Sequence, residues 1–302
     1  MQVTKVSIGK YLPAVFTAFV WGSTYVASKV VLSAGISSYM LMTIRFALAY
    51  VCLWIFCHET KPIRFNRDEL AFLVLGLAGG SLYFFFEYEG LRRTSAINVG
   101  LICSTVPIIS TFIAVLIGRE HFWRNFFIGT ILAMTGVYLT VTNGNFSLSL
   151  RPVGDLLVFV SSFLWAVYTV VLSGISKRYS PLLISRRLFF YALITILPFT
   201  IAHEDWSALP EAMSQTRVAI STFYLGFIAS GLCIVLWNVS INRIGLTTTN
   251  NFLYLQPIVT VAASAIFISG EVSVYNIIGS IFILAGIYMA DQKKHNSINI
   301  KN

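Results

Sequence analysis

Charge is what this chain has least of. Asp and Glu number 12 against 21 Lys and Arg in 302 residues, and charged residues make up only 11%. A soluble fold carries about 25%, so the polar side chains are too few to cover a water-facing surface and a large soluble core is excluded. Cysteine is scarce as well. Cys52, Cys57, Cys103 and Cys233 form no CxxC and have no neighbouring histidine, which argues against a disulfide framework and a zinc site and leaves them as small packing residues. The four histidines, His58, His121, His203 and His295, are scattered. No glycine-rich phosphate loop, Ser/His/Asp set or HExxH is present, so nothing points to an enzyme, a metal or a cofactor.

What the chain does have is long apolar runs. Hydrophobic residues reach 57%, and the mean hydropathy is +0.78. Apolar segments run over about 12–32, 37–57, 69–90, 95–118, 125–142, 154–174, 182–202, 216–241, 246–269 and 273–291. Each approaches the roughly 20 residues that span a bilayer. The expectation is an all-α integral membrane protein of ten transmembrane helices joined by short connections. Lys5 and Lys10 precede the first run, but no small-residue cleavage site follows it, so the first helix is expected to be retained.

The chain repeats itself. Leu75, Gly76, Leu82, Arg93, Pro107, Ile108, Ile128, Gly129, Ile131, Gly136 and Tyr138 recur 150 residues later as Leu225, Gly226, Leu232, Arg243, Pro257, Ile258, Ile278, Gly279, Ile281, Gly286 and Tyr288. Chance apolar similarity does not hold Gly, Pro, Arg and Tyr in one register, so the chain is a tandem duplication. The reading is a first repeat over residues 1–142, a connection at 143–151, a second repeat over 152–292 and a tail at 293–302. Five helices per repeat make the second copy enter the membrane from the opposite side, giving two inverted five-helix repeats. That architecture suits alternating access to a site near the midplane.

Lysine and arginine set the orientation. With the N-terminus inside, Lys5, Lys10, Lys61, Arg64, Arg67, Arg119, Arg124, Lys177, Arg178, Arg243, Lys293, Lys294 and Lys301 fall inside, against Lys29, Arg92, Arg93, Arg151 and Arg217 outside. Both termini are therefore expected in the cytoplasm, and the net charge of +9 reflects topology and is no argument for nucleic acid.

Several stretches carry a family likeness: WGSTYVASK in the first helix, STVPIIST in the fourth, and the endings GREHFWRNFFIGTILAMTGVYL and SGEVSVYNIIGSIFILAGIYM. Together with the ten-helix inverted repeat they resemble the EamA family of the drug/metabolite transporter superfamily, over almost the whole chain. A Gly-Glu pair followed by G-x6-G occurs twice, as Glu120 with Gly129 and Gly136, and as Glu271 with Gly279 and Gly286; in the first copy Arg119 separates Gly118 from Glu120. The resemblance implies a carrier of the cytoplasmic membrane that exports amino acids, other small metabolites or toxic compounds through a central cavity between the halves.

The residues themselves locate that site coarsely. Trp21, Pro107, Trp165 and Pro257 fall near the middles of helices 1, 4, 6 and 9. The tryptophans are too deep for an interfacial role and read either as packing or as cavity walls that stack on a ligand. Tyr25 and Tyr168 extend those faces, and Tyr83 and Tyr254 join the candidate substrate-binding set. Gln256 is polar where polarity is costly, for an interhelical hydrogen bond or a ligand contact. Pro107 and Pro257 kink their helices, alone or as part of the site.

Arg45 and Arg187 correspond at an offset of 142, with Arg45 read as nearer the middle; they snorkel or pair at the protein periphery, or bind a substrate carboxylate. Glu87 and Glu89 are solvated or paired with Arg92 and Arg93, with Glu87 the candidate for proton coupling. Asn98, Asn238 and Asn250 are candidate gates or ordinary caps. The seven-residue glycine spacing makes helices 5 and 10 packing or dimer elements. A secondary carrier for a small-molecule solute, embedded in the lipid bilayer as a monomer or homodimer, is the reading; multidrug efflux is the alternative within carriers, and a membrane scaffold or sensor the alternative outside them.

Overall fold

The computed structural model describes residues 8–59, 61–63, 66–145, 150–268 and 272–292. Lys5, Arg64, Glu271, Lys293, Lys294, His295 and Lys301 lie outside the described residues. Ten segments build the molecule: α1 (Leu12–Ser33), α2 (Ser38–Phe56), α3 (Arg67–Leu91), α4 (Ala96–Cys103 and Val106–Leu116), α5 (Arg124–Thr142), α6 (Pro152–Ile175), α7 (Pro181–His203), α8 (Thr216–Ile244), α9 (Leu246–Asn251, Phe252–Leu255 and Gln256–Ile268) and α10 (Val274–Asp291). Among the described residues, all but α9 are long and apolar enough to cross a membrane by length and composition. The first three-quarters of a turn is set by local chemistry. Ser37, Asn66, Ser95, Ser180 and Ser273 accept from backbone N–H groups three residues on, satisfying donors that a helix start leaves free.

The two inverted five-helix repeats meet most closely along α5 and α10. A Cβ on Gly129 would fall 2.4 Å from the Ala290 nitrogen, and one on Gly136 would fall 2.5 Å from the Gly279 carbonyl oxygen. The reciprocal positions, Gly279 and Gly286, would meet the Gly136 and Gly129 carbonyls at 2.6 and 2.5 Å. The glycine face is thus consumed by the chain's own second repeat. Close backbone approach replaces the hydrophobic drive that a lipid environment does not supply.

Two kinds of interruption recur in both repeats. A π-helical stretch widens α3 at Leu77–Ser81 and α8 at Tyr224–Leu232, positions that overlap at the repeat offset. Helix α4 breaks at Ser104 and Thr105, and α9 tightens into a 3-10 turn at Phe252–Leu255, each one turn before its proline. Pro107 and Pro257 have no N–H to give the carbonyl four residues back, so the helix is released there. The face on which α1 begins and α10 ends is called terminal below, and the opposite one distal.

Candidate functional site

The π-helical stretches frame an aromatic cluster. Trp21 of α1 and Trp165 of α6 meet edge to face, with ring centroids 5.3 Å apart at 83°. Trp237 of α8 lies 4.9 Å from Trp21, while Tyr83 and Tyr168 lie 5.1 and 4.9 Å from Trp165. The widened backbone makes this packing fit. Trp21 Nε1 donates to the carbonyl of Ala229, inside the α8 stretch, at 2.8 Å. The equivalent residue of α3, Gly79, seats the Tyr168 ring, which a methyl group there would meet at 2.5 Å. Trp165 is 6% exposed and Trp237 fully buried, yet neither indole N–H has a hydrogen-bond partner among the described residues. An unpaired buried donor costs roughly 1–3 kcal/mol.

Charge enters the cluster from one side. Tyr83 donates to Glu87 Oε1 at 2.8 Å. Arg45 is 6% exposed, donates from Nε to Ser230 Oγ at 3.2 Å, and lies over the Phe84 ring at 5.1 Å. It acts electrostatically on both Glu87 and Tyr88. Arg187 is buried too, at 8% exposure. Neither arginine snorkels to lipid, and Arg45 is no nearer the middle than Arg187: each sits about two turns inside its helix, at matching depths from opposite faces, and points into protein, Arg187 in an ion pair as one sequence reading allows. The guanidinium finds carboxylate, hydroxyl and aromatic partners there, which lipid does not offer. Glu89, in contrast, pairs with Arg92 and Arg93 as the sequence allows, and also accepts from Tyr39.

A polar seam descends from the cluster toward the terminal face. Tyr168 donates to Asn238 Oδ1 at 2.8 Å, and Asn238 Nδ2 donates to Ser185 Oγ at 2.8 Å. Asn250 Nδ2 donates to Ser110 Oγ at 2.7 Å and to Thr169 Oγ1 at 3.2 Å, and Thr111 reaches Thr247 at 3.1 Å. Both asparagines are fully buried and join α4, α6, α7, α8 and α9. Asn98 stands elsewhere. It donates to Asp155 Oδ1 at 2.9 Å and so ties the distal starts of α4 and α6.

The two faces are closed by different chemistry. At the terminal face Arg187 pairs with Glu69 at 3.4 Å, Arg178 with Asp68 at 2.6 Å, and Arg186 donates to the carbonyls of Cys57 and Glu59. Tyr179 donates to Asp68 at 2.7 Å, and that bond, with some burial, raises the phenol above its ordinary pKa. At the distal face Trp206, Leu209, Ala212 and Met213 lie instead in one apolar cluster with Val31, Ile36, Met40 and Leu41.

Of the residues singled out from the sequence, Trp21, Trp165, Tyr83, Tyr168 and Glu87 are brought together, with Asn238 directly beneath. Tyr254 is buried in a separate cluster with Ala18, Ala133, Val137 and Ile283, against the α5–α10 pair. Tyr25 is 49% exposed and makes no ring contact with the cluster. Gln256 presents its backbone carbonyl to Gly22. Trp237 belongs to the cluster and is absent from the sequence candidates, and Arg45, weighed there for a substrate carboxylate, stands beside it. The repeat register held a clue to the first, because position 237 is the partner of Glu87. Arg119, the residue inserted in the first Gly-Glu pair, donates to the Val170 carbonyl at 2.7 Å and seals the end of α6.

Comparison with known proteins fits this architecture. A solved crystal structure superposes with a TM-score of 0.75 over 93% of this chain and 96% of that chain, at 14% identity, which shows a shared fold. An uncharacterized transporter of Archaeoglobus fulgidus is 26% identical over 289 residues, covering 94% of this chain and 98% of its own. The uncharacterized transporter YyaM of Bacillus subtilis is 25% identical over 255 residues, 82% of each chain. The EamA-like transporter family matches residues 9–142 and again 152–290, one match in each half. With ten segments in two inverted repeats and both halves matched, this multi-pass membrane protein belongs to the EamA-like transporter family.

Proposed function

We propose that the chain is a secondary carrier of the cytoplasmic membrane that exports amino acids or related small metabolites by alternating access, with both termini in the cytoplasm. One juxtaposition carries the reading: a buried guanidinium and a half-buried carboxylate, Arg45 and Glu87, stand at the rim of an aromatic cluster that holds two unpaired indole N–H groups. A zwitterion offers the complementary set. Its carboxylate suits Arg45 and the indole donors, its ammonium suits Glu87, and its apolar side chain suits the rings of Trp21, Trp165 and Trp237. The rings fill the centre, so a ligand enters by parting the halves rather than by occupying a fixed cavity. Pro107 and Pro257, each behind a helix break, supply the bend for that motion. The excess of lysine and arginine in the terminal-face connections supports the cytoplasmic placement.

Purified protein in liposomes, offered a panel of labelled amino acids, should show saturable counterflow for at least one. Trp21→Ala and Trp165→Ala should each lower that flux about tenfold or more while insertion persists. Flux of amphipathic cations alone would transfer the site to multidrug efflux. Absence of any vectorial flux would leave a scaffold or sensor.

A further inference from the structure

The cations at the distal face fall into two groups. Arg92 and Arg93 pair with Glu89, and Arg151 lies beside Asp155, to which its backbone N–H donates. Lys29 and Arg217 have no ion pair and no side-chain hydrogen bond among the described residues, and both line one groove of about 390 Å³. Val26, Val30 and Val218 give that groove an apolar wall, Gln215 adds an amide, and no acidic residue lines it. Lys29 comes from the last turns of α1 and Arg217 from the first turn of α8, so each is at the depth where a bilayer's headgroups begin. Two uncompensated like charges repel one another across an apolar floor, and the groove is stabilised by an anion that brings its own hydrocarbon.

We propose that this groove binds an anionic phospholipid, its phosphate held between Lys29 and Arg217 and its first acyl carbons against the half-buried Val30 and Ala34. Charge complementarity at headgroup depth selects a lipid over a soluble anion, because only the lipid also covers Val30 and Ala34. The site does not depend on which compartment the distal face meets, since both leaflets carry phosphate. It bridges the repeats, with α1 from the first and α8 from the second, and is independent of the carrier reading above.

The test is lipid retention by full-length protein released from nanodiscs of mixed phosphatidylglycerol and phosphatidylcholine, counted by native mass spectrometry. Wild type should keep about one more phosphatidylglycerol than the Lys29→Gln/Arg217→Gln double variant, with at least about tenfold weaker binding in the latter. The charge-preserving Lys29→Arg/Arg217→Lys variant should restore retention, which a purely structural effect of the first variant would not allow. Equal retention by wild type and the glutamine variant would overturn the proposal. So would displacement of the lipid by millimolar inorganic phosphate, since that marks a free-anion site.

Discussion

Helices α3 and α8 are copies, yet they furnish opposite halves of the site with different chemistry. Position for position, Glu87 stands where α8 has Trp237, Tyr88 where it has Asn238, and Tyr83 where it has Cys233. The backbone has kept its symmetry, with the π-helical stretch in both, while the side chains have diverged. The arginines follow the same rule. Arg187 has Glu69 as its partner at the terminal face, whereas the residue at the repeat equivalent of Glu69 is Ala219. Arg45 finds no carboxylate there and turns toward Ser230, Tyr88 and Glu87 instead. One missing acid thus separates an ion pair at the terminal face from an arginine without one beside the aromatic cluster, on two frames that duplication made alike.

The contrast is broken most directly by neutralising the two arginines separately. Arg45→Gln should lower amino-acid flux about a hundredfold, and Glu87→Gln similarly, because each leaves a buried partner uncompensated and a substrate charge unmatched. Arg187→Gln, at the equivalent place, also strips a largely buried carboxylate of its partner but leaves the aromatic cluster intact, so it should lower flux less, by about tenfold at most. Equal losses from Arg45 and Arg187, measured as initial rates in liposomes, would mean the divergence has no bearing on transport.

A smaller effect is expected from the prolines, where the repeats have stayed alike. Pro107→Ala and Pro257→Ala each restore a backbone donor and should slow turnover about tenfold, with apparent substrate affinity altered less. Because the repeats are inverted, the two variants should bias accessibility toward opposite faces. Cysteine labelling from each side reads this out, and identical patterns in both variants would refute it.

The smallest effect lies in the face closures. Raising salt from about 0.1 to 1 M shortens the screening length from about 10 to 3 Å. It should therefore increase labelling of a reporter cysteine under the Arg187–Glu69 and Arg178–Asp68 contacts by a few-fold, and leave one beneath Trp206 and Met213 unchanged. Equal sensitivity at both faces would show that ion pairing does not distinguish them.

Much of this was legible beforehand. Ten spans, the inversion and the glycine pairs follow from run length, an odd helix count and a fixed offset, all one-dimensional properties. The convergence of Trp21, Trp165, Tyr83, Tyr168 and Glu87 follows in part from depth. Rotation about a helix axis is what the sequence hides. Tyr25 and Tyr254 sit at suitable depths on other faces, and no apolar periodicity marks them, since lipid and protein interior are equally apolar. Arg45 stays ambiguous in the sequence for a related reason, since a lone arginine fits the periphery or a buried site equally until its distant partners are in view. The π-helical stretches left only a trace, the small residues Gly79, Gly80 and Ser81 with Ala229, Ser230 and Gly231 at the same offset.

The glycines of α5 and α10 carry a constraint on mutation itself. Backbone atoms of the other repeat would obstruct a side chain at each of Gly129, Gly136, Gly279 and Gly286, joined by the side chains of Ile283 at Gly136 and Thr140 at Gly279. Trimming Thr140 or Ile283 would relieve only part of the clash, because a backbone carbonyl of the neighbouring helix still stands 2.6 or 2.5 Å away. The four positions therefore drift together or not at all, and the two halves, free to diverge in their charges, stay bound to one another in their geometry.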